Sequence, residues 1–354
     1  MVPFKLGYAV SGGGIRPGKL IAAFETLGYA VDVVSGFRKQ RLQAMAKAMD
    51  TIRAGQGYDF IYVESSTLPY LMTEKHHRPF WPGMERKLMR LAKKNRIPIG
   101  LFYRDIYWRS KDQQVEVGTF TRLWRRPFFH LDLAYYAKIL DVCFVPSLGM
   151  KPLFPRSLHD RLVACPPGHD ESETISRTAP AGIDDLSFLY VGGLKPNFYD
   201  IRPLLSLARQ HKVTICCRPE EWEAQHEFYA LEKNDPCVVH ACGHDLKDLY
   251  SRHKVAAIVR RDNPYLRFAS PLKFYEAIGQ NIPLLVTDGS LAADLVHEWN
   301  IGWVMREDLA DFSAQQLVDE YGEKLAAITA IKAEHTWSRR AQSIARVLGA
   351  AELG

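Results

Sequence analysis

The chain has 354 residues, 47% of them hydrophobic and 24% charged, which are the proportions of an ordinary globular protein and exclude general disorder. That length is about twice a typical domain and predicts two domains, each burying a core. No apolar run approaches the roughly 20 residues that span a bilayer, and the opening MVPFKLGYAVSGGG lacks the length and flanks of a secretory signal, so a cytoplasmic location is expected.

The first domain is predicted from an apolar strand over residues 4–10, the turn SGGGIRPGK, the helical stretch LIAAFETLG and a second strand, YAVDVVSG, over 29–36. This βαβ unit implies a parallel sheet. Further strands follow at YDFIYVES, IPIGLFYRD and DVCFVPS, each but the last preceded by a helical pattern. Around 166–185 the text turns to PPGHDESETISRTAPAGID, rich in turn formers and without periodicity, as a linker would be. Alternation then restarts. Strands at LSFLYVGG, KVTICCR, CVVHACG, VAAIVRR, IPLLVTD and IGWVMR are separated by helical segments. The expected fold is α/β, with two Rossmann-like domains of parallel strands in series and a cleft between them as the ligand site. Boundaries are placed at 1–168, a linker at 169–185, a second domain at 186–335, and a C-terminal helix within 336–354 that can return to the first domain.

The formal charge of +6 suits an anionic substrate or surface. None of the six cysteines forms a C-x-x-C pair, and the apolar run VTICCRP around Cys216 and Cys217 reads as structural thiols. No H-E-x-x-H occurs, and His76 and His77 adjoin a basic stretch, as on a solvated face.

Three segments can carry chemistry. In SGGGIRPGK the dinucleotide fingerprint fails at Pro17, where Gly12-x-Gly14 needs a third glycine, and Asp32 lies mid-strand, away from a ribose contact. A P-loop fails too, because Leu20 follows Lys19 where a hydroxyl is required. Gly13 and Gly14 beside Arg16 either form a tight turn or approach a substrate closely. In YVGGLKPNFYD, Gly192 and Gly193 end a strand and leave room for a ligand, and Lys195 is either a phosphate contact or a solvated lysine. In SPLKFYEAIGQN, Ser270 is placed as N-cap and Pro271 in the first turn, so a helix tip beside Lys273 favours anions. Glu276 either pairs with Lys273 at i, i+3 or accepts hydrogen bonds from ribose hydroxyls. Phosphates at the tip and lysines, with ribose on the glutamate, fit a nucleoside diphosphate.

YVGGLKPNFYD with SPLKFYEAIGQNIPLLVTDG resembles the donor-binding domain of the group-1 glycosyltransferases of the GT-B fold. The family pattern P-x-K-x-x-E-x-x-x-x-G-x-P matches at Pro271, Lys273, Glu276 and Pro283, with the small-residue turn Gly279-Gln280-Asn281 in place of the usual glycine, and CPPGHD, Cys165 to Asp170, is similar to the family's interdomain turn. The resemblance implies a UDP-sugar or GDP-sugar donor. Many relatives carry another glutamate eight positions before the ribose-binding one. Here that position is Phe268, beside Arg267, which leaves retention or inversion and the donor sugar open. No D-x-D occurs, so no metal is expected, and the leaving diphosphate would be met by Lys195, Lys273, Arg260 or Arg261 and the helix tip.

If configuration inverts, a base is needed in the first domain. Asp105, beside Arg104 at the end of GLFYRDIYW, is the candidate, with a cap or a salt bridge to Arg104 or Arg109 as the alternative and Glu64 as the second candidate. On the acceptor side, HHRPFWPGMERKLMRLAKKNR and FTRLWRRPFFH interleave cations with Phe80, Trp81, Trp124, Phe128 and Phe129, which suits peripheral contact with an anionic membrane on its inner face or a solvated helix over an aromatic core. Nucleic acid has no recognition motif here. The expected activity is transfer of a sugar from a nucleotide sugar to a glycan or lipid-linked acceptor in cell-surface polysaccharide synthesis. An NAD(P)-dependent oxidoreductase and a non-catalytic nucleotide-sugar-binding protein are the alternatives.

Overall fold

Parallel pairing governs both halves of the chain, so each strand needs a crossover before its neighbour, and the helices between the strands supply it. The computed structural model describes residues 1–6, 12–74, 76–109, 119–171, 176–230 and 236–350. All strand pairs among them are parallel. They divide into two units, Met1–Pro167 with the segment from Trp337 onward, and Gly168–Thr336.

The first unit runs α1 (Gly12–Thr26), α2 (Arg38–Arg53), β1 (Ile61–Glu64), α3 (Gly83–Lys94), β2 (Ile99–Phe102), α4 (Thr119–Ile139), β3 (Val142–Val145) and β4 (Leu162–Ala164). Its sheet has the order β1-β2-β3-β4. Two expected strands differ. Residues 7–10 lie outside the described residues, and the pairing in this region is made by residues 1–4: the Glu64 amide donates to the Met1 carbonyl, Val2 to Val34, and Gly36 to Phe4. The 29–36 stretch therefore lies parallel to the chain start without forming a regular strand. Among the described residues two bonds pair it with the chain start, Asp32 accepts from the Tyr58 hydroxyl at 2.6 Å, and Gly36 adopts φ +94°.

The second unit runs β5 (Ser187–Val191), α5 (Pro196–Tyr199), α6 (Arg202–Ala208), β6 (Lys212–Cys216), α7 (Pro219–Gln225), β7 (Cys237–Val239), α8 (Gly243–Arg252), β8 (Val255–Ile258), α9 (Leu272–Gly279), β9 (Leu284–Thr287), α10 (Leu291–Trp299), β10 (Gly302–Met305) and α11 (Ala314–Ile331). The order β10-β9-β8-β5-β6-β7 reverses direction between β5 and β8. Side chains alternate between two cores, as a pleated strand requires. Phe188, Tyr190, Val213, Ile215 and Leu285 pack with α6 and α11, while Leu189, Cys216, Leu284 and Val286 pack with α9 and α10. With both faces covered, the strands read as continuous apolar runs. The stretch expected as a linker is tied into this unit. His169 bonds the carbonyl of Lys332 through its ring, and Arg177 donates to the carbonyls of Gln280, His253 and Tyr250. Residues 172–175 lie outside the described residues.

The last helix, α12 (Trp337–Val347), packs on α1 in the first unit. Its buried face, Trp337, Ala341, Ile344 and Ala345, has the i, i+4, i+7, i+8 spacing of one helical stripe. Among the described residues no helix is long and apolar enough to cross a membrane.

One close contact sets a testable limit. A Cβ on Gly279 would stand 2.6 Å from the His169 ring and 2.7 Å from its Cβ, near the stiff root of a buried side chain that cannot swing clear. Gly279→Ala is expected to lower unfolding free energy by about 1–3 kcal/mol, read by urea denaturation of the full chain.

Candidate functional site

In an open parallel sheet the ligand crevice lies beyond the carboxyl ends of the strands where their order reverses. In the second unit that point falls between β5 and β8, which are followed by Gly192-Gly193 and by Arg260-Arg261. Arg260 is 6% exposed, and its guanidinium carbon lies 5.7 Å from the centre of the Tyr199 ring. Burial pushes its pKa down, opposed only by the Tyr190 and Tyr199 hydroxyls. Among the described residues no carboxylate stands beside it, and a buried cation so placed is costly unless an anion joins it. Arg261 is different, because its side chain is half exposed and lies 3.8 Å from Asp200. Of the two arginines named from sequence, Arg260 is the one left for a ligand.

The glycines before this point are spoken for by the protein itself. A Cβ on Gly192 would stand 2.7 Å from the Tyr190 hydroxyl, and one on Gly193 would meet Tyr199 at 2.8 Å and Glu221 at 2.9 Å. The Tyr190 hydroxyl donates to the Gly193 carbonyl at 2.6 Å, and the Leu194 amide donates to Glu221 at 2.8 Å. The glycines thus shape the loop by admitting neighbouring side chains. Lys195 follows, exposed, at the start of α5.

At α9 the N-cap is Pro271, and no side chain caps the tip. Ser270 stands one residue earlier than a cap must and turns its hydroxyl to that of Tyr275 at 3.5 Å. The consequence is a helix end whose first N–H groups lack a side-chain acceptor, a favourable place for negative charge. Lys273 and Glu276 pair at 2.5 Å, each about a quarter exposed. Both act electrostatically on Cys216 at the carboxyl end of β6, so the pair stands over the same edge of the sheet. Phe268, in place of a second carboxylate, packs edge-on to Tyr265, and Arg267 reaches Asp262 at 4.0 Å. Two features escaped the sequence. Tyr199 depends on contacts across the fold, and Asn281 adopts φ +55°, a conformation asparagine tolerates better than most residues. The glycine-for-asparagine exchange in the turn was its only signal.

In the first unit, Gly13 and Gly14 lie in the first turn of α1, and Arg16 and Glu64 form a buried ion pair at 3.1 Å. Tyr62 donates to the same carboxylate oxygen at 2.9 Å, while Arg16 also donates to the Pro166 carbonyl and lies 3.7 Å from the centre of the Phe102 ring. Burial works against the Arg16 charge, but Tyr62, Cys165 and Glu64 outweigh it and raise its pKa. These two acceptor-side candidates are thus one internal pair. Asp105 is otherwise. It is buried, its Oδ2 has no hydrogen-bond partner, and burial, against the charge of Arg104, pushes its carboxyl up to about 7. Among the described residues no ion pair forms to it: Arg109 instead donates to the Leu153 carbonyl, and Arg104 lies over the Phe4 ring. Cys143, Cys165, Cys216 and Cys217 are buried, and Cys237 and Cys242 exposed. Among the described residues no three His, Cys, Asp or Glu side chains group as metal ligands would.

Removing one member of the Arg16–Glu64 pair strands a buried charge. Arg16→Met is expected to cost about 3–5 kcal/mol at pH 8, part of it recovered in Arg16→Met/Glu64→Gln. Chemical denaturation of both variants checks this, and equal losses would refute it.

Comparison with protein-family models and with curated proteins finds no match. Solved structures do match over almost the whole length. Anabaena HepE, crystallised with UDP and glucose, aligns at TM-score 0.60 and 14% identity over 99% of both chains. A glycosyltransferase from Rickettsia africae aligns at 0.60 and 12% over 98% of this chain and 97% of that one. Sucrose-phosphate synthase from Thermosynechococcus elongatus aligns at 0.58 and 14% over 95% and 92%. At such identities the likeness speaks for architecture, and with the two parallel-sheet units and the Rossmann strand order of the second it establishes that the chain has the GT-B glycosyltransferase fold.

Proposed function

We propose that this protein is a metal-independent glycosyltransferase that moves a sugar from a nucleoside diphosphate to a glycan or lipid-linked acceptor in cell-surface polysaccharide synthesis, working in the cytoplasm at the inner face of a membrane. The observation that carries the reading is Arg260, a buried cation without a carboxylate at the strand-order reversal of a GT-B-fold chain. The UDP and UDP-glucose complexes of HepE favour a uridine donor over a guanosine one.

The residues divide the work by charge. As the bond from the anomeric carbon to the diphosphate oxygen breaks, the departing nucleoside diphosphate gains negative charge. Arg260, Lys195, Lys273 and the open tip of α9 are arranged to meet it. Glu276 exchanges its lysine partner for the ribose hydroxyls, which frees Lys273 for phosphate. On the other side, the acceptor hydroxyl gives its proton to Asp105 as its oxygen forms the new glycosidic bond. A carboxyl near 7 is matched to that task, and Arg104 keeps it from rising further. Direct attack with a base of this kind inverts the anomeric centre.

Ligand-induced thermal shifts with UDP-, GDP-, ADP- and dTDP-sugars and with NAD(P)H separate this reading from an oxidoreductase. UDP-sugar is expected to raise Tm. Glu276→Ala should weaken its binding without lowering Tm of the free protein, and Arg260→Met should weaken it by about tenfold or more while leaving the free protein equally or more stable, since a costly charge is gone. A shift with NAD(P)H alone would overturn the reading.

The rate of nucleoside diphosphate release supplies a second check. It should rise with pH through about 7, as Asp105 loses its proton, and Asp105→Asn should remove that limb together with most of the activity. A variant with the wild-type profile would take the base role from Asp105.

A further inference from the structure

The helix α4 has two apolar faces. One, with Phe129 and Leu133, is buried. The other points outward: Phe120 is 84% exposed, Leu123 58%, Trp124 52% and Leu131 56%. Their offsets of three, four and eleven residues from Phe120 put them on one stripe about 16 Å long. Solvent-facing leucine and aromatic side chains in a row are not explained by the core, and contiguous apolar surface of this kind marks a site of contact.

Charge identifies the partner. Among the described residues the exposed charged side chains of α3 and α4 are all cationic, including Lys87, Arg90, Lys94, Arg126 and Lys138. The two acids of these helices are withdrawn. Glu85 is buried, and Asp132 is half-buried and accepts the Tyr70 amide at 2.6 Å. Arg86 joins the helices by lying over Trp81 at 5.0 Å and over Tyr135, on α4, at 5.3 Å. Trp81 itself is 72% exposed, which adds a second indole beside the stripe.

The apolar surface also continues inward. Beneath it lies a small cavity of about 50 Å3, bounded by Pro82, Arg86, Leu131, Asp132 and Tyr135.

We propose that the outward face of α4, with Trp81 and Arg86, is a seat for an anionic lipid bilayer, the Phe120–Leu131 stripe dipping among the acyl chains while the arginines meet headgroup phosphates. This deepens the transferase reading and rests on it for its purpose, which is to hold the enzyme where a lipid-linked acceptor is found. Insertion of indoles and phenyl rings supplies the salt-insensitive part of binding, and the cations the part that salt screens.

Flotation of the full-length protein with vesicles of phosphatidylglycerol and phosphatidylcholine, against phosphatidylcholine alone, tests it. Binding to the anionic vesicles only is expected. It should fall about tenfold or more in Phe120→Ser/Trp124→Ser, and about fivefold in Arg126→Gln. No flotation with anionic vesicles, or equal flotation of wild type and the double variant, overturns the proposal. So does concentration-dependent dimerisation in sedimentation velocity that the double variant loses, which would assign the stripe to a second copy. Retained UDP-sugar shifts show that the variants are folded. Flotation needs no donor, so a wild type that floats but binds no nucleotide sugar refutes the transferase reading and leaves the seat standing.

Discussion

A positive charge is buried at Arg260, and among the described residues no carboxylate stands beside it. The acids of the surrounding loops are engaged elsewhere. Glu221 accepts the Leu194 amide and pairs with Arg218, and Asp200 is held by Arg202 and Arg261. Two tyrosines stand in for a counter-ion without supplying a charge. The open helix tip at α9 adds partial positive charge of its own. A fold that keeps these groups together without an anion carries an electrostatic cost that a bound anion would relieve.

The first unit treats a buried arginine in the opposite way. Arg16 is met by Glu64, Tyr62, Cys165 and a carbonyl, and an aromatic ring covers it. One Glu64 oxygen is thus taken by Arg16 and Tyr62, and the pair ties α1 to β1. Asp105 in that unit is different again, because it is buried and its Oδ2 has no hydrogen-bond partner among the described residues.

Much of the fold was legible because fully buried parallel strands are continuous apolar runs. LSFLYV, KVTIC, VAAI and LLVT fall where such runs predict them. The stretch 29–36 misled because its composition is that of a strand while its regularity depends on Asp32 and Gly36 meeting partners elsewhere. Ser270 looked like a cap, but proline, with φ fixed near that of a helix start, takes the position by itself. The polar text after residue 166 read as a free linker because nothing local shows that Arg177 will find three carbonyls. At the site, residue types and spacing put Lys273 and Glu276 on one face, and the structure pairs them. The difference between Arg260 and Arg261 lies in tertiary contacts with Tyr199 and Asp200, which no local pattern encodes.

The return of α12 to α1 gives the chain a built-in schedule. Residues 168–336 form an uninterrupted unit and can close their core as soon as they have left the ribosome. The first unit cannot: Leu348 lies where a Cβ on Gly100 would touch it at 3.0 Å, and Trp337, Ala341 and Ile344 complete the surface of α1. The half of the protein that is translated first is therefore finished last, and until then an apolar groove on α1 waits for its own C-terminal helix. Domains usually mature in the order of synthesis. Here the discontinuous unit is held back until α12 has been made.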